Sequence, residues 1–141
     1  MIIMAVDYGE VRTGIAVCDS LEMLGIPLCV INESYAPKLI DRIAALCDER
    51  RPERIVVGLP RNMDGTCGEK AKACIALSEA IEAKTGIKTV TYDERLTSVI
   101  AHARLHEAGK KEKQHRPHVD AAAAAEILND YLTARKNGKE I

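Results

Sequence analysis

Two short apolar runs open the chain, Ile2-Ile3-Met4-Ala5-Val6 and Ile15-Ala16-Val17-Cys18, divided by the polar string Asp7-Tyr8-Gly9-Glu10-Val11-Arg12-Thr13-Gly14. They predict strands over 2–7 and 14–18, joined by a turn around Gly9. Residues 24–31 read as a third strand, in which Pro27 suggests an edge position. The short connections favour an antiparallel meander. The spacing then becomes helical over 37–50, where Leu39, Ile40, Ile43, Leu46 and Cys47 mark one face and Pro37 suits the first turn. The run Arg54 to Leu59 reads as a central strand buried on both faces. A helix is expected at about 67–84, with Thr66 and Glu69 at capping-box spacing and Gly86 at its end. A fifth strand follows at 87–92, then a helix at roughly 97–108 closed by Gly109. A polar loop runs from Lys110 to Pro117, and a last helix covers about 118–135.

The order is β-β-β-α-β-α-β-α-α, without an internal repeat or a Ser/Pro-rich linker. An antiparallel meander followed by βα units predicts an α/β fold, a mixed sheet with helices on its faces. The last helix contains five consecutive alanines, Ala121 to Ala125. Its lack of bulk lets it lie close to the sheet and brings its first turn next to the strands.

The chain has 141 residues, enough for one domain with a real core. With no Trp, no Phe and four Tyr, base stacking on aromatic platforms is not the expected mode of nucleic-acid binding. A formal net charge of -1 argues against a protein that coats nucleic acid through bulk positive charge, but leaves room for a local basic patch. The N-terminus lacks the pattern of a cleaved leader and no apolar stretch approaches membrane-spanning length, so cytoplasmic residence is expected. The five cysteines, Cys18, Cys29, Cys47, Cys67 and Cys74, include no Cys-x-x-Cys pair. A disulfide framework or zinc site is not expected. All but Cys67 lie among apolar residues and read as small buried hydrophobes.

The candidate chemistry lies in the acids. Asp7 ends the first strand beside a glycine turn, the setting of a metal–phosphate site. Asp93 and Glu94 are neighbours at the end of the fifth strand. On extended chain they point to opposite faces, so one of the two reaches such a site. Asp120 heads the last helix. Each acid alone has a simpler reading: Asp7 as an Asx-turn residue, Asp93 or Glu94 as a complement to a helix dipole, Asp120 as an N-cap. Together they can converge if the last helix packs over the sheet. Two divalent ions about 3.5–4 Å apart need such a cluster of oxygen ligands. Mg²⁺ suits hard oxygen donors and keeps waters for a nucleophile.

Two further segments carry charge or glycine. The loop Gly58-Leu59-Pro60-Arg61-Asn62-Met63-Asp64-Gly65-Thr66-Cys67-Gly68 follows a strand and opens a helix, where backbone N–H groups can hold phosphate. It lacks the Gly-Lys-Ser/Thr ending of a P-loop, and a capped turn explains it equally. Lys110, Lys111, Lys113 and Arg116 form a basic loop leading into Asp120, which fits a phosphodiester substrate or simply a solvated loop. His102 and His106 have i,i+4 spacing but no third ligand, and read as surface residues.

Taken together, these strings resemble the YqgF (RuvX-type) family. An Asp-x-Gly-x-x-Arg-x-Gly-x-Ala-x-x-Asp opening is matched by Asp7, Gly9, Arg12, Gly14, Ala16 and Asp19. A Gly-Leu-Pro-x-x-Met-Asp-Gly-Thr-x-Gly loop is matched at Gly58 through Gly68. An Asp-Glu-Arg-Leu-Thr segment is matched at Asp93 through Thr97. A closing Val-Asp helix is matched by Val119, Asp120, Ala123, Ala124, Ile127 and Leu128. Any one motif is weak; four in order, over nearly the whole chain, are specific. The resemblance implies a ribonuclease-H-like fold with a five-stranded mixed sheet, its first three strands antiparallel. It implies a nuclease site of Asp7, Glu94 and Asp120 and a role at the 5′ end of pre-16S ribosomal RNA. Cys18 stands where Ser is common.

The expected activity is metal-dependent hydrolysis of phosphodiester bonds in structured RNA. Asp7, Glu94 and Asp120 would hold two Mg²⁺ or Mn²⁺ ions. Arg12, Arg61, Asn62, Arg95, Lys110, Lys111, Lys113 and Arg116 would grip phosphates. The partners would be structured RNA or branched DNA and a pre-ribosomal particle, with the protein a monomer or weak homodimer. Three other readings stand beside this one. A four-way DNA junction resolvase would need two active sites for symmetric cutting. A sugar-kinase or actin-like ATPase shares an Asp-x-Gly opening but needs a second domain. A non-catalytic ribosome-assembly or transcription adaptor would keep the acids only as remnants.

Overall fold

A computed structural model describes residues 1–60, 68–93 and 119–138, with only the backbone for Val119 and Asp120. In chain order the elements are β1 Ile3–Asp7, β2 Arg12–Cys18, β3 Gly25–Asn32, α1 Ala36–Arg50, β4 Arg54–Leu59, α2 Glu69–Thr85, β5 Lys88–Asp93 and α3 Val119–Lys136. The sequence boundaries agree to within two residues. The helix expected at 97–108 and the loop at 110–117 lie outside the described residues.

Five strands form one sheet in the order β3-β2-β1-β4-β5. β1 pairs antiparallel with β2, and β2 with β3. β4 joins β1 in parallel and β5 joins β4 in parallel. Pro27 does sit on an edge strand, where a missing N–H removes no ladder bond on the solvent side. Leu28 is an extra residue there, because Ile15 pairs with Cys29 while Ala16 pairs with Pro27.

Alternation along the strands splits the core in two. Met4 and Val6 of β1 join Ile15, Ile31, Ile55 and Val57 beneath α1 and α2. Ile3 and Ala5 join Ala16, Val56 and Tyr92 beneath α3. β4 is buried on both faces, as its unbroken apolar run requires. On α1, Leu39, Ile43 and Cys47 recur at helical spacing and are all buried. Pro37 sits in the first turn.

The start of α2 corrects the expected capping box. The N-cap is Gly68, extended and without a side-chain cap, so Glu69 is the first helical residue. Thr66 is two positions too early to cap it. The helix ends at Gly86, whose N–H donates to the Glu82 carbonyl.

Cys18, Cys47 and Cys74 are buried, and burial pushes the Cys47 thiol up to about 11. Cys29 is only half-buried, because β3 is the edge of the sheet. Cys67 lies outside the described residues.

Polar contacts pin α3 at the end of the sheet where β1 begins. The Asn129 amide takes both backbone groups of Gly25, accepting from its N–H at 2.8 Å and donating to its carbonyl at 3.1 Å. Gly25 has no room for a side chain, since a Cβ would lie 2.7 Å from Leu128. Arg54 Nη1 donates to the Tyr131 hydroxyl at 2.9 Å. Tyr131 meets Tyr92 edge-to-face, with centroids 5.8 Å apart. Arg135 Nε donates to Glu22 at 2.9 Å, and the N-terminal ammonium reaches the same carboxylate at 3.0 Å.

The Arg135 hydrogen bond, helped by the N-terminal ammonium, holds the Glu22 carboxyl below its usual range. Its folded value is lower than its unfolded value of about 4.3. The stabilisation is therefore complete above about pH 4.3 and is lost as pH falls through the folded value. Urea midpoints should drop on acidification into this window, and Glu22→Gln should flatten that part of the profile. An unchanged profile in the variant would assign the acid loss to other carboxylates.

Candidate nuclease site

Asp7 is the last residue of β1, half-buried and paired with Gly14 on β2. Ile3 and Ala5 point into the α3 side of the core. Two-residue alternation puts Asp7 on that same face. Tyr8 packs against the opposite cluster, as alternation requires.

The following turn is tight. A Cβ on Gly9 would collide with the backbone carbonyl of Arg12. A side chain cannot rotate away from that clash, so the strand ends would have to shift. Gly9→Ala is expected to lower stability by roughly 1–3 kcal/mol, read from urea unfolding. A neutral substitution would mean that the turn relaxes freely. Arg12 opens β2 at the same edge of the sheet and is exposed.

β1, β4 and β5 run parallel, so their C-terminal ends share one edge. Asp7, Leu59 and Asp93 close these strands there. Residues 61–67 follow β4 after Pro60, and Glu94 follows Asp93. Asp93 is half-buried at the end of β5. Its neighbour Tyr92 faces α3, so Asp93 is turned to the other face, away from Asp7.

α3 brings its first turn to this edge. Ile3 lies level with Cys18, whose sulfur accepts its N–H at 3.3 Å. Cys18 pairs with Gly25, which Asn129 holds. From that level β1 climbs about 13 Å to Asp7 at roughly 3.3 Å per residue. α3 climbs about 14 Å from Asn129 back to Asp120 at roughly 1.5 Å per residue. Ala121, Ala124 and Ala125 are buried against the sheet, and their small side chains permit this close approach.

Of the acids singled out in the sequence, Asp7 and the backbone of Asp120 are thus placed at one edge and on one face. Glu94, Arg61, Asn62, Arg95, Lys110, Lys111, Lys113, Arg116, His102 and His106 lie outside the described residues. Among the described residues no three His, Cys, Asp or Glu side chains are grouped to hold a metal ion. Asp7 supplies one hard carboxylate at the strand end, a donor type that fits Mg²⁺ or Mn²⁺. Thr13, which the sequence reading passed over, precedes Gly14 on β2 and is fully buried, but alternation with Ile15 turns it to the α1 side of the sheet, away from Asp7. Its hydroxyl has no hydrogen-bond partner among the described residues. A β-branched residue in a strand pattern gives no signal of that.

An Asp-terminated central strand in a β3-β2-β1-β4-β5 sheet, flanked by helices on both faces, defines a ribonuclease-H-like protein. The sequence model of the family described as "RuvX: Holliday junction resolvase" matches residues 1–134, and the chain belongs to that family. A Chloroflexus aurantiacus protein named "Putative pre-16S rRNA nuclease" is 37% identical over 136 residues, covering 96% of this chain and 89% of its own. A protein of the same name from Clostridium botulinum is 34% identical over 132 residues, covering 94% and 96%. Among solved structures, Thermus thermophilus RuvC in complex with a Holliday junction substrate superposes with a TM-score of 0.63 at 18% identity, covering 96% of each chain. The fowlpox virus resolvase with its junction DNA gives 0.57 at 12%, covering 96% and 99%. These two likenesses establish the shared fold. The family's description and the relatives' names are those of nucleases.

No helix among the described residues is long and apolar enough to cross a membrane.

Proposed function

We propose that this chain is a single ribonuclease-H-like domain, 1–141, that hydrolyses phosphodiester bonds in a metal-dependent way to mature the 5′ end of pre-16S ribosomal RNA in the cytoplasm. The observation that carries the reading is the meeting of Asp7 and the first turn of α3 at one sheet edge and face. The names of the relatives support the RNA substrate.

We assign Asp7, Glu94 and Asp120 to hold Mg²⁺ or Mn²⁺, with two ions suiting three carboxylates. Glu94 is preferred to Asp93 because Asp93 is turned from the face that α3 covers. β5 also stands two strands from β1, roughly 10 Å, a gap that a glutamate's longer stem narrows. When bound, the ions would supply an acidified water and charge stabilisation at the leaving oxygen. Arg12, exposed at the same edge, would take a phosphate. Arg61, Asn62 and Arg95 follow strands that end there. Lys110, Lys111, Lys113 and Arg116 precede α3. They would supply the local positive charge that a net charge of -1 otherwise withholds.

A junction resolvase is the second reading, favoured by the family's description. The deciding assay offers 5′-labelled pre-16S RNA and a four-way DNA junction in parallel, with Mg²⁺ or Mn²⁺ and with chelator. Metal-dependent cutting of the RNA alone is the expected result. Cutting of the junction alone would install the resolvase. Cutting of neither, free or on an assembling ribosomal particle, would leave an adaptor.

A further inference from the structure

A groove of about 290 Å³ runs along the β3 edge of the sheet, between β3 and α1. One wall is Cys29 to Ile31 of β3; the other carries Arg42, Leu46 and Glu49 of α1. Arg42 and Glu49 are two turns apart on one helix face, with Ala45 and Leu46 between them.

The parity of the edge strand follows from one bond. Glu33 N–H donates to the Val11 carbonyl at 3.0 Å, so that pair faces inward. Arg12 pairs with Asn32 and Gly14 with Val30. Residues alternate along an antiparallel ladder, so Val30 and Asn32 turn their N–H and C=O outward. Arg42 Nη1 reaches that outward Asn32 carbonyl at 3.4 Å, as the parity requires.

We propose that this edge binds a second copy of the chain, β3 to β3 antiparallel, about a two-fold axis through Val30. The groove is self-complementary about that axis. Arg42 lies near Asn32, and the midpoint of Arg42 and Glu49 is about 5 Å down the helix, roughly the level of Val30. The two-fold therefore sets Arg42 of one copy toward Glu49 of the other, twice, with Ala45 and Leu46 meeting between them. The same axis thus matches charge with charge twice, beside the outward backbone groups of Val30. An unrelated strand would satisfy the ladder but has no reason to match those charges. Pro27 and the extra residue Leu28 restrict the ladder to a few residues, so the dimer is weak and reversible.

The test is sedimentation velocity of the full chain over a concentration series, with circular dichroism as the folding control. The wild type should dimerise as concentration rises. Arg42→Glu and Glu49→Arg should each weaken dimerisation about tenfold or more, and the double reversal should restore it to within about threefold. Val30→Pro, which removes an outward N–H without touching the ladder to β2, should abolish it. A wild type that stays monomeric throughout, or a dimer indifferent to these changes, would overturn the proposal. None of these residues belongs to the proposed nuclease site, so nuclease activity and dimerisation can fail separately.

Discussion

Asp7→Asn is expected to lower cleavage by about 10³-fold or more while the protein stays folded. The amide keeps the size and hydrogen-bonding shape of the carboxylate but loses the charge that a divalent ion requires. The position ends β1 and is half-buried, so the fold does not rest on it as it rests on Val6 or Ala5. Thermal unfolding should shift by only a few degrees. Single-turnover rates beside melting curves measure both quantities. Cleavage at an undiminished rate would sink the assignment of Asp7. A collapse of both activity and fold would make Asp7 a structural acid.

Ala124→Leu should damage activity from a distance. Ala124 is fully buried among Ile3, Ala5, Ala16 and Val56 on the sheet face. Three added carbons have no space there, and overpacking of this kind costs roughly 1–3 kcal/mol. The helix can relieve the strain by lifting from the sheet. Its far end is held by Asn129, Tyr131 and Arg135, so the lift falls on the first turn, where Asp120 sits. A displacement of about 1 Å there is worth on the order of 10²-fold in rate. The control is Ala122→Leu, in the same alanine run but exposed, which should change neither stability nor rate. Equal effects of the two substitutions would show that the close approach of α3 does not position the site.

The short apolar strings announced all five strands, most plainly β1 and β4, whose burial on both faces leaves little room for polar residues. The edge position of β3 was legible in Pro27 alone. Asp7 stood out because a carboxylate at the end of an apolar run is costly unless something uses it. The alanine run announced the closeness of α3, since only small side chains admit a helix backbone that near. The N-terminus of α2 was not legible. Thr66 and Glu69 carry the residue types of a capping box, yet the helix begins at Glu69 behind Gly68. Local spacing matched there, but the helix starts too late in the chain for Thr66 to be its N-cap.

The sequence by itself determined the order and kind of elements, the antiparallel start and the short list of acids. These follow from local periodicity and from what each side chain tolerates. Tertiary structure alone decided that β4 inserts beside β1 in parallel, which brings the ends of β1, β4 and β5 to one edge. It alone decided which face of each strand α3 covers, and so turned Asp93 from Asp7. Pairing and face depend on contacts between residues far apart in the chain, such as Asn129 with Gly25 and Tyr131 with Arg54. No local pattern encodes those partners.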